Sequence, residues 1–333
     1  MEDELFERIV TFENLLLAAK KAYKGKKDKY QVARFYFNLE KEIILLREEL
    51  LTKTYKPLGY SIFKIYEPKE RNICSADFRD RVIHHAIINI IGEKIEKRLI
   101  YDTYACRKNK GTHKAIERVQ NFSEKYKYFL KCDIRKYFES IDCYIMINIL
   151  IKMFPNNVDL LSLVISIVNH RPSYVEEGKG LPIGNLTSQH FANLYLGELD
   201  HYIKDKIGIK GYVRYMDDFI VFYNDKKELQ KLLIVIERFC NDKLKLELKS
   251  SVTKIAPVSE GIPFLGHRIF PNLVRIRREN LVRSKRKIKK RETDYLNGNI
   301  TEEVFVNSVK SILAHISHGN TLKLRRKMFY NIG

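Results

Sequence analysis

Tyr215-Met216-Asp217-Asp218, set between two β-rich runs, restricts this chain more than any other short segment. Tyr212 and Val213 lead in, and Phe219, Ile220, Val221, Phe222 and Tyr223 lead out, so the pattern predicts strand, tight acidic turn, strand. Two neighbouring carboxylates repel and cost stability unless a counter-charge compensates them. A pair of divalent cations, by contrast, needs carboxylate oxygens at fixed positions, and an exposed but rigid hairpin tip supplies them. An ordinary solvated acidic turn would carry the same residues, so the choice rests on motifs elsewhere.

One such motif runs from Phe129 to Ile141, reading Phe-Leu-Lys-Cys-Asp-Ile-Arg-Lys-Tyr-Phe-Glu-Ser-Ile. It predicts a short buried strand that delivers Asp133 where the apolar run stops. Nucleotidyl transfer by two metals places the ions about 3.5–4 Å apart, bridged by shared carboxylates. Asp133 is the candidate third carboxylate beside Asp217 and Asp218, and Ile134 could add its backbone carbonyl.

In order and separation these two motifs resemble those of the reverse transcriptases. The resemblance implies an α+β, right-hand polymerase fold: fingers, a palm of antiparallel sheet plus helices, and a helical thumb. It implies Asp133, Asp217 and Asp218 as catalytic residues, metal held by these and Ile134, and two Mg²⁺ ions with Mn²⁺ as a substitute. Tyr215 and Met216 fall where the family touches template and primer. Phe138 matches the aromatic gate that abuts the sugar and excludes ribonucleotides; a core side chain on the helix after the strand is the other reading.

Between the two motifs lies Gly180-Leu181-Pro182-Ile183-Gly184-Asn185-Leu186-Thr187-Ser188-Gln189. Most reverse transcriptases carry Q-G-x-x-x-S-P here, whereas this chain has Ile183 for the Gln and Gln189 for the Pro. That double departure is similar to the pattern of diversity-generating retroelement enzymes. Ile183 replaces a hydrogen-bonding amide beside the incoming base pair with a stiff apolar side chain, which should loosen control of pair geometry. The resemblance implies errors opposite template adenines, and template or primer contacts by Gly184, Ser188 and Gln189. Ile183 could instead be core beneath a glycine turn, with fidelity set elsewhere.

Tyr66 to Ile73 and Phe78 to Ala86 resemble the family's first two motifs, with Lys69 and Arg71 expected on the triphosphate, where a guanidinium fork suits phosphate oxygens. Arg79 and Arg81 flank Asp80, so for one of them an internal ion pair stands beside substrate contact as a reading of equal or greater weight. Tyr104 to His113 reads as a basic, glycine-containing loop near the template. Ile262-Pro263-Phe264-Leu265-Gly266-His267 matches the primer grip, with Phe264, Leu265 and Gly266 as the contact residues and Gly266 allowing close backbone approach. Lys249 and Lys254 lie near the place of the family's lysine proton donor, but neither aligns with it.

With 61 Lys plus Arg against 41 Asp plus Glu in 333 residues, the chain carries a formal charge of +20, and a polyanion is the natural counterpart. The charge concentrates between Arg275 and Arg291, where Lys285, Arg286 and Lys287 are the expected template and primer contacts on a basic helix. His315 and His318 have a helical spacing that could hold metal, with thumb packing or RNA contact the favoured reading.

Apolar spacing through Phe6, Ile9, Phe12, Leu15 and Leu16 predicts helix at the N-terminus. The expected division is a helical extension over 1–55, interleaved fingers and palm over 56–270, and a helical thumb over 271–333. No apolar stretch is long enough to span a membrane and no secretory signal opens the chain, so a cytoplasmic protein is expected. No RNase H or endonuclease domain is expected after the thumb.

The diversity-generating resemblance implies dNTPs, a structured template RNA, a DNA or RNA primer, and a small basic helical accessory protein forming a ring. Two other readings stand beside it. One is a reverse transcriptase of another bacterial class, such as a retron, group II intron or antiphage enzyme. The other is an idle RNA-binding scaffold, which would have no need of three metal carboxylates.

Overall fold

The computed structural model describes residues 4–26, 29–66, 70–172 and 175–330. In chain order the helices α1 (Leu5–Ile9), α2 (Phe12–Tyr23), α3 (Tyr30–Phe37) and α4 (Leu39–Leu51) precede a hairpin of β1 (Tyr60–Ile65) and β2 (Arg71–Ala76). Next come α5 (Phe78–Arg98), α6 (Thr112–Ser123), β3 (Tyr128–Asp133), α7 (Tyr137–Ser140), α8 (Cys143–Met153), α9 (Val158–Asn169) and α10 (Leu186–His201). The strands β4 (Tyr212–Tyr215) and β5 (Asp218–Tyr223) lead to α11 (Lys226–Leu244) and β6 (Lys254–Pro257). A meander of β7 (Ile262–Phe264), β8 (His267–Phe270) and β9 (Leu273–Ile276) precedes α12 (Arg278–Leu296), α13 (Glu302–Ser317) and α14 (Leu322–Tyr330). No helix among the described residues is long and apolar enough to cross a membrane.

Two compact units result. The first comprises Met1–Tyr101, Ile134–Gly208 and Val235–Lys249. The N-terminal apolar run is helical but interrupted: Thr11 caps α2, its hydroxyl accepting from the Asn14 N–H at 3.2 Å. Leu15, Ala18, Ala19 and Ala22 then share one buried face, at i, i+3, i+4 and i+7, and small alanines let α2 pack against α5. Buried Asn14 is satisfied by donating to the carbonyls of Ile9 (2.9 Å) and Ala86 (3.1 Å).

The ion pair expected of Asp80 with a neighbouring arginine does not form. Adjacent helical side chains point apart, and Asp80 lies on the buried face of α5. It accepts from the Tyr55 hydroxyl and the Leu58 N–H, each at 2.8 Å, while Arg79 pairs with Glu49 and the Arg81 guanidinium lies 5.1 Å from the centre of the Phe78 ring.

The second unit comprises Asp102–Asp133, Ile209–Ile234 and Ser250–Gly333. Its four-stranded antiparallel sheet has the order β4-β5-β3-β6, and a three-stranded sheet has the order β7-β8-β9. Ile116, Val119 and Phe122 of α6 form one core with Phe129, Ile220 and Phe222 of the larger sheet and Phe264 and Ile269 of the smaller. Gly211 is required here, because a Cβ would come within 2.8 Å of the Phe222 side chain and 3.1 Å of its carbonyl oxygen. The basic run splits between two elements: Arg275 lies on β9, Arg277 caps α12, and the rest form α12 itself. His318 stacks on His113 with ring centroids 3.7 Å apart, so that histidine packs; the His315 side chain lies outside the described residues.

Candidate active site

Strand register brings the acidic residues together. β3 pairs with β5 so that Asp133 stands opposite Asp218, and β4 pairs with β5 so that Tyr215 stands opposite Asp218. Cross-strand partners share a face of the sheet, so the carboxyls of Asp133 and Asp218 emerge on one side. Met216 and Asp217 form the two-residue connection. The pair is therefore less exposed than a hairpin tip suggests: Asp218 opens β5, and its side chain is 19% accessible.

Two charged residues that the sequence motifs did not single out shape this turn. Arg214, wholly buried, donates from Nη1 to the Met216 carbonyl at 2.9 Å. Met216 has φ +57°, a conformation that side-chain-bearing residues adopt at a cost of about 1 kcal/mol or more, and this bond helps hold it there. The Arg214 backbone is itself fixed, donating to Asp102 at 2.9 Å and accepting from Tyr104 at 3.0 Å. Lys131, two residues before Asp133 on the same strand face, reaches diagonally to Asp218, with Nζ 2.6 Å from Oδ1 and 2.8 Å from Oδ2. Both were visible as single charges inside otherwise apolar strands, Phe129-Leu130-Lys131-Cys132 and Tyr212-Val213-Arg214-Tyr215.

Burial, opposed by Lys131 and reinforced by the charges of Asp133 and Asp217, pushes the Asp218 carboxyl up to about 6. Asp133 and Asp217 thus add their charge to that of Asp218, which Lys131 partly offsets, and grouped carboxylates are the ligand type that divalent cations take. Among the described residues no three His, Cys, Asp or Glu side chains are placed to hold a metal ion together, and Asp218 is paired with Lys131. Ile134 is buried and bridged to Leu248.

The first unit holds the residues expected around a nucleotide. Phe138 lies on the single-turn α7 and is half-buried rather than core, its ring edge-on to the buried Tyr137 at 5.7 Å. Its carbonyl accepts the Leu181 N–H at 2.7 Å, and two residues on the Ile183 carbonyl accepts the Cys74 N–H of β2 at 2.8 Å. Phe138 and Ile183 are thus linked through one hydrogen-bonded segment of main chain, and Ile183 is half-buried. Gly184 has φ +125°, and a Cβ there would come within 2.6 Å of the Cys74 carbonyl oxygen. Ser188 is buried on α10 at 3% accessibility, leaving Gln189 as the more open of that pair. Arg71 is exposed at the end of the β1-β2 hairpin, opposite Ile65; Lys69 lies outside the described residues.

In the second unit the Phe264 side chain belongs to the core, so direct primer contact by that ring is not what this geometry offers. Leu265 and Gly266, with φ +45° and +83°, make the two-residue turn from β7 to β8, a conformation matched to strand twist. The Gly266 carbonyl accepts from the Arg277 N–H (3.1 Å) and Asn280 Nδ2 (3.0 Å), tying this turn to the start of α12. Lys285, Arg286 and Lys287 are exposed on α12, whose one buried residue is Ile288.

Comparison with known proteins agrees with this geometry. A family described as "Reverse transcriptase (RNA-dependent DNA polymerase)" matches residues 64–269. Similar proteins include YkfC of Escherichia coli, 22% identical over 77% of this chain and 78% of that one. The group II intron-encoded protein LtrA of Lactococcus lactis is 24% identical over 78% of this chain, but the match spans only 54% of LtrA. Among solved structures, telomerase of Candida albicans with a TWJ fragment of telomeric RNA superposes with a TM-score of 0.51 at 12% identity, covering 83% of this chain and 55% of that one. At that identity the likeness concerns the fold, a right-hand polymerase architecture of helices and antiparallel sheets. With the family match covering more than half of its length, this chain belongs to the reverse transcriptases.

Proposed function

We propose that this chain is an RNA-directed DNA polymerase with low fidelity at template adenines, copying a template-repeat RNA as in a diversity-generating retroelement. The observation that carries the finer reading is the pair Ile183 and Gln189, where most of the family has Gln and Pro. The main-chain bond from Cys74 to Ile183 supports it, because the segment's path is fixed and the aliphatic side chain is the variable. A second reading, a group II intron-like enzyme, is favoured by the similarity to LtrA.

Asp133, Asp217 and Asp218, with the Ile134 carbonyl, would hold two divalent cations, Mg²⁺ or Mn²⁺. When bound, such ions activate the primer 3′-hydroxyl and stabilise the leaving pyrophosphate. Arg71, with Lys69, would bind the triphosphate through charge-assisted hydrogen bonds. Phe138 would press on the sugar and select deoxyribonucleotides. Ile183 would line the nascent pair without offering it a hydrogen bond, and Gln189, Gly184, Tyr215 and Met216 would contact template or primer. The exposed cations of α12, beside a groove of about 470 Å³ lined by Arg278, Arg283 and Arg286, would follow the nucleic-acid backbone.

Partners on this reading are a structured RNA, a primer, dNTPs and a small basic helical accessory protein that assembles as a ring. Primer extension on an RNA template with Mg²⁺ and all four dNTPs, with and without the accessory protein, tests it. DNA with errors concentrated opposite adenine is expected, lost on Asp217→Ala while RNA binding persists. Accurate DNA would move the assignment to the intron-like reading, and no product with the native RNA and partner would overturn both.

A further inference from the structure

Lys131 is the charged residue of the carboxylate cluster that the reaction as described leaves unused. It is 7% accessible and sits in the middle of β3, where strand pairing on both sides fixes its backbone. Its ammonium lies within hydrogen-bonding distance of both Asp218 oxygens, at 2.6 and 2.8 Å. The Phe264 ring lies 5.5 Å away, so core packing and cation–π attraction bear on the same group. Lys254, its cross-strand neighbour on β6, turns instead to Glu260 at 2.8 Å.

An ammonium cannot coordinate as a divalent ion does, yet it competes for the same oxygens. A carboxylate engaged through both oxygens must turn, or give one of them up, to ligate a metal. We propose that Lys131 is a positioning residue acting as a resident counter-ion: it orders Asp218 while the carboxylates hold no divalent cation, and it raises the cation concentration needed to load them. This inference rests on Asp133, Asp217 and Asp218 being the metal site. A lysine whose role was purely structural would stabilise the protein to the same degree with or without metal.

Mn²⁺ alone, without nucleotide or RNA, is the probe, with binding to the full chain followed by electron paramagnetic resonance and unfolding followed in EDTA and in Mn²⁺. Lys131→Met should bind Mn²⁺ about tenfold more tightly or better, since a unit charge a few ångströms from the ion has been removed. Its melting temperature should fall in EDTA and recover in Mn²⁺ by more than that of the natural protein. Lys131→Arg should retain an affinity near the natural one. Lys131→Gln, which keeps a polar head, reads the same affinity if Lys131→Met does not fold.

Unchanged or weaker Mn²⁺ affinity in the neutral variants, with a loss of stability independent of metal, would overturn the role of Lys131 alone. Absence of Mn²⁺ binding by the natural protein and by the neutral variants alike would overturn the carboxylate metal site and this inference with it.

Discussion

The Ile183 carbonyl accepts the Cys74 N–H at 2.8 Å, joining the turn before α10 to the second strand of the β1-β2 hairpin by main chain alone. The side chain at 183 can therefore change without altering the route of the backbone. Ile183→Gln should lower the error frequency opposite template adenines and leave the melting temperature nearly unchanged. Sequencing the cDNA products checks this, and an identical error spectrum would remove Ile183 from the fidelity mechanism.

Arg214 is expected to matter more to turnover than to substrate binding. Its guanidinium holds the carbonyl of Met216, one residue before Asp217, and a charge-assisted bond of this kind contributes about 1.5–3 kcal/mol. Arg214→Lys keeps the charge but loses the planar fork. The expected outcome is a fall in kcat of about tenfold or more with little change in KM for dNTP, about 1.4 kcal/mol for each factor of ten. Steady-state kinetics beside a thermal melt make the comparison, and a variant that melts early yet turns over normally would show that the turn is held by other contacts.

On α12, replacing Lys285, Arg286 and Lys287 with alanine should weaken primed-template binding and flatten its salt dependence. Every phosphate that the protein no longer neutralises lowers the slope of log K against log salt by about 0.9 for duplex DNA, so the triple variant should show a visibly shallower line. Fluorescence anisotropy from low to moderate salt measures it. An unchanged slope would locate the polyanion surface elsewhere.

Burial of His84 on α5, with the charges of His85, His170 and Arg81 adding to it, pushes its imidazole down to about 3. The unfolded chain titrates near the ordinary histidine value of about 6.5 and binds the proton first on acidification. The stability that neutral His84 confers is therefore complete above about pH 6.5. It declines as pH falls from there towards 3, by about 1.4 kcal/mol per unit for this group. Urea unfolding between pH 7 and 5 should show the decline, and His84→Gln should flatten it.

Much of the acidic cluster was legible because its signals are local. A run of strand formers broken by Asp-Asp, and another ending in Asp133, announce two strand ends, and pairing those strands brings the acids together. Phe138 and Ile183 were legible as types, but the main-chain bond from Leu181 to Phe138 that ties their two segments together was not. Arg79 does make an internal ion pair, but with Glu49: charges that flank Asp80 in sequence point apart on a helix, and the buried carboxyl finds Tyr55 and Leu58 instead.

From the order of residues alone followed the two strand ends that carry Asp133, Asp217 and Asp218, because periodicity and turn chemistry act over a few residues, while the fold class and the family came from the resemblance of those motifs to the reverse transcriptases. Tertiary structure alone decided which charges those carboxylates meet. Lys131 looks like a stray polar residue in a strand until register sets it diagonally across from Asp218, and Phe264 looks like a ligand contact until the core closes around it. Distances between strands arise from hydrogen-bond registration and from packing against α6 and the β7-β8-β9 sheet, neither of which any short stretch of chain contains.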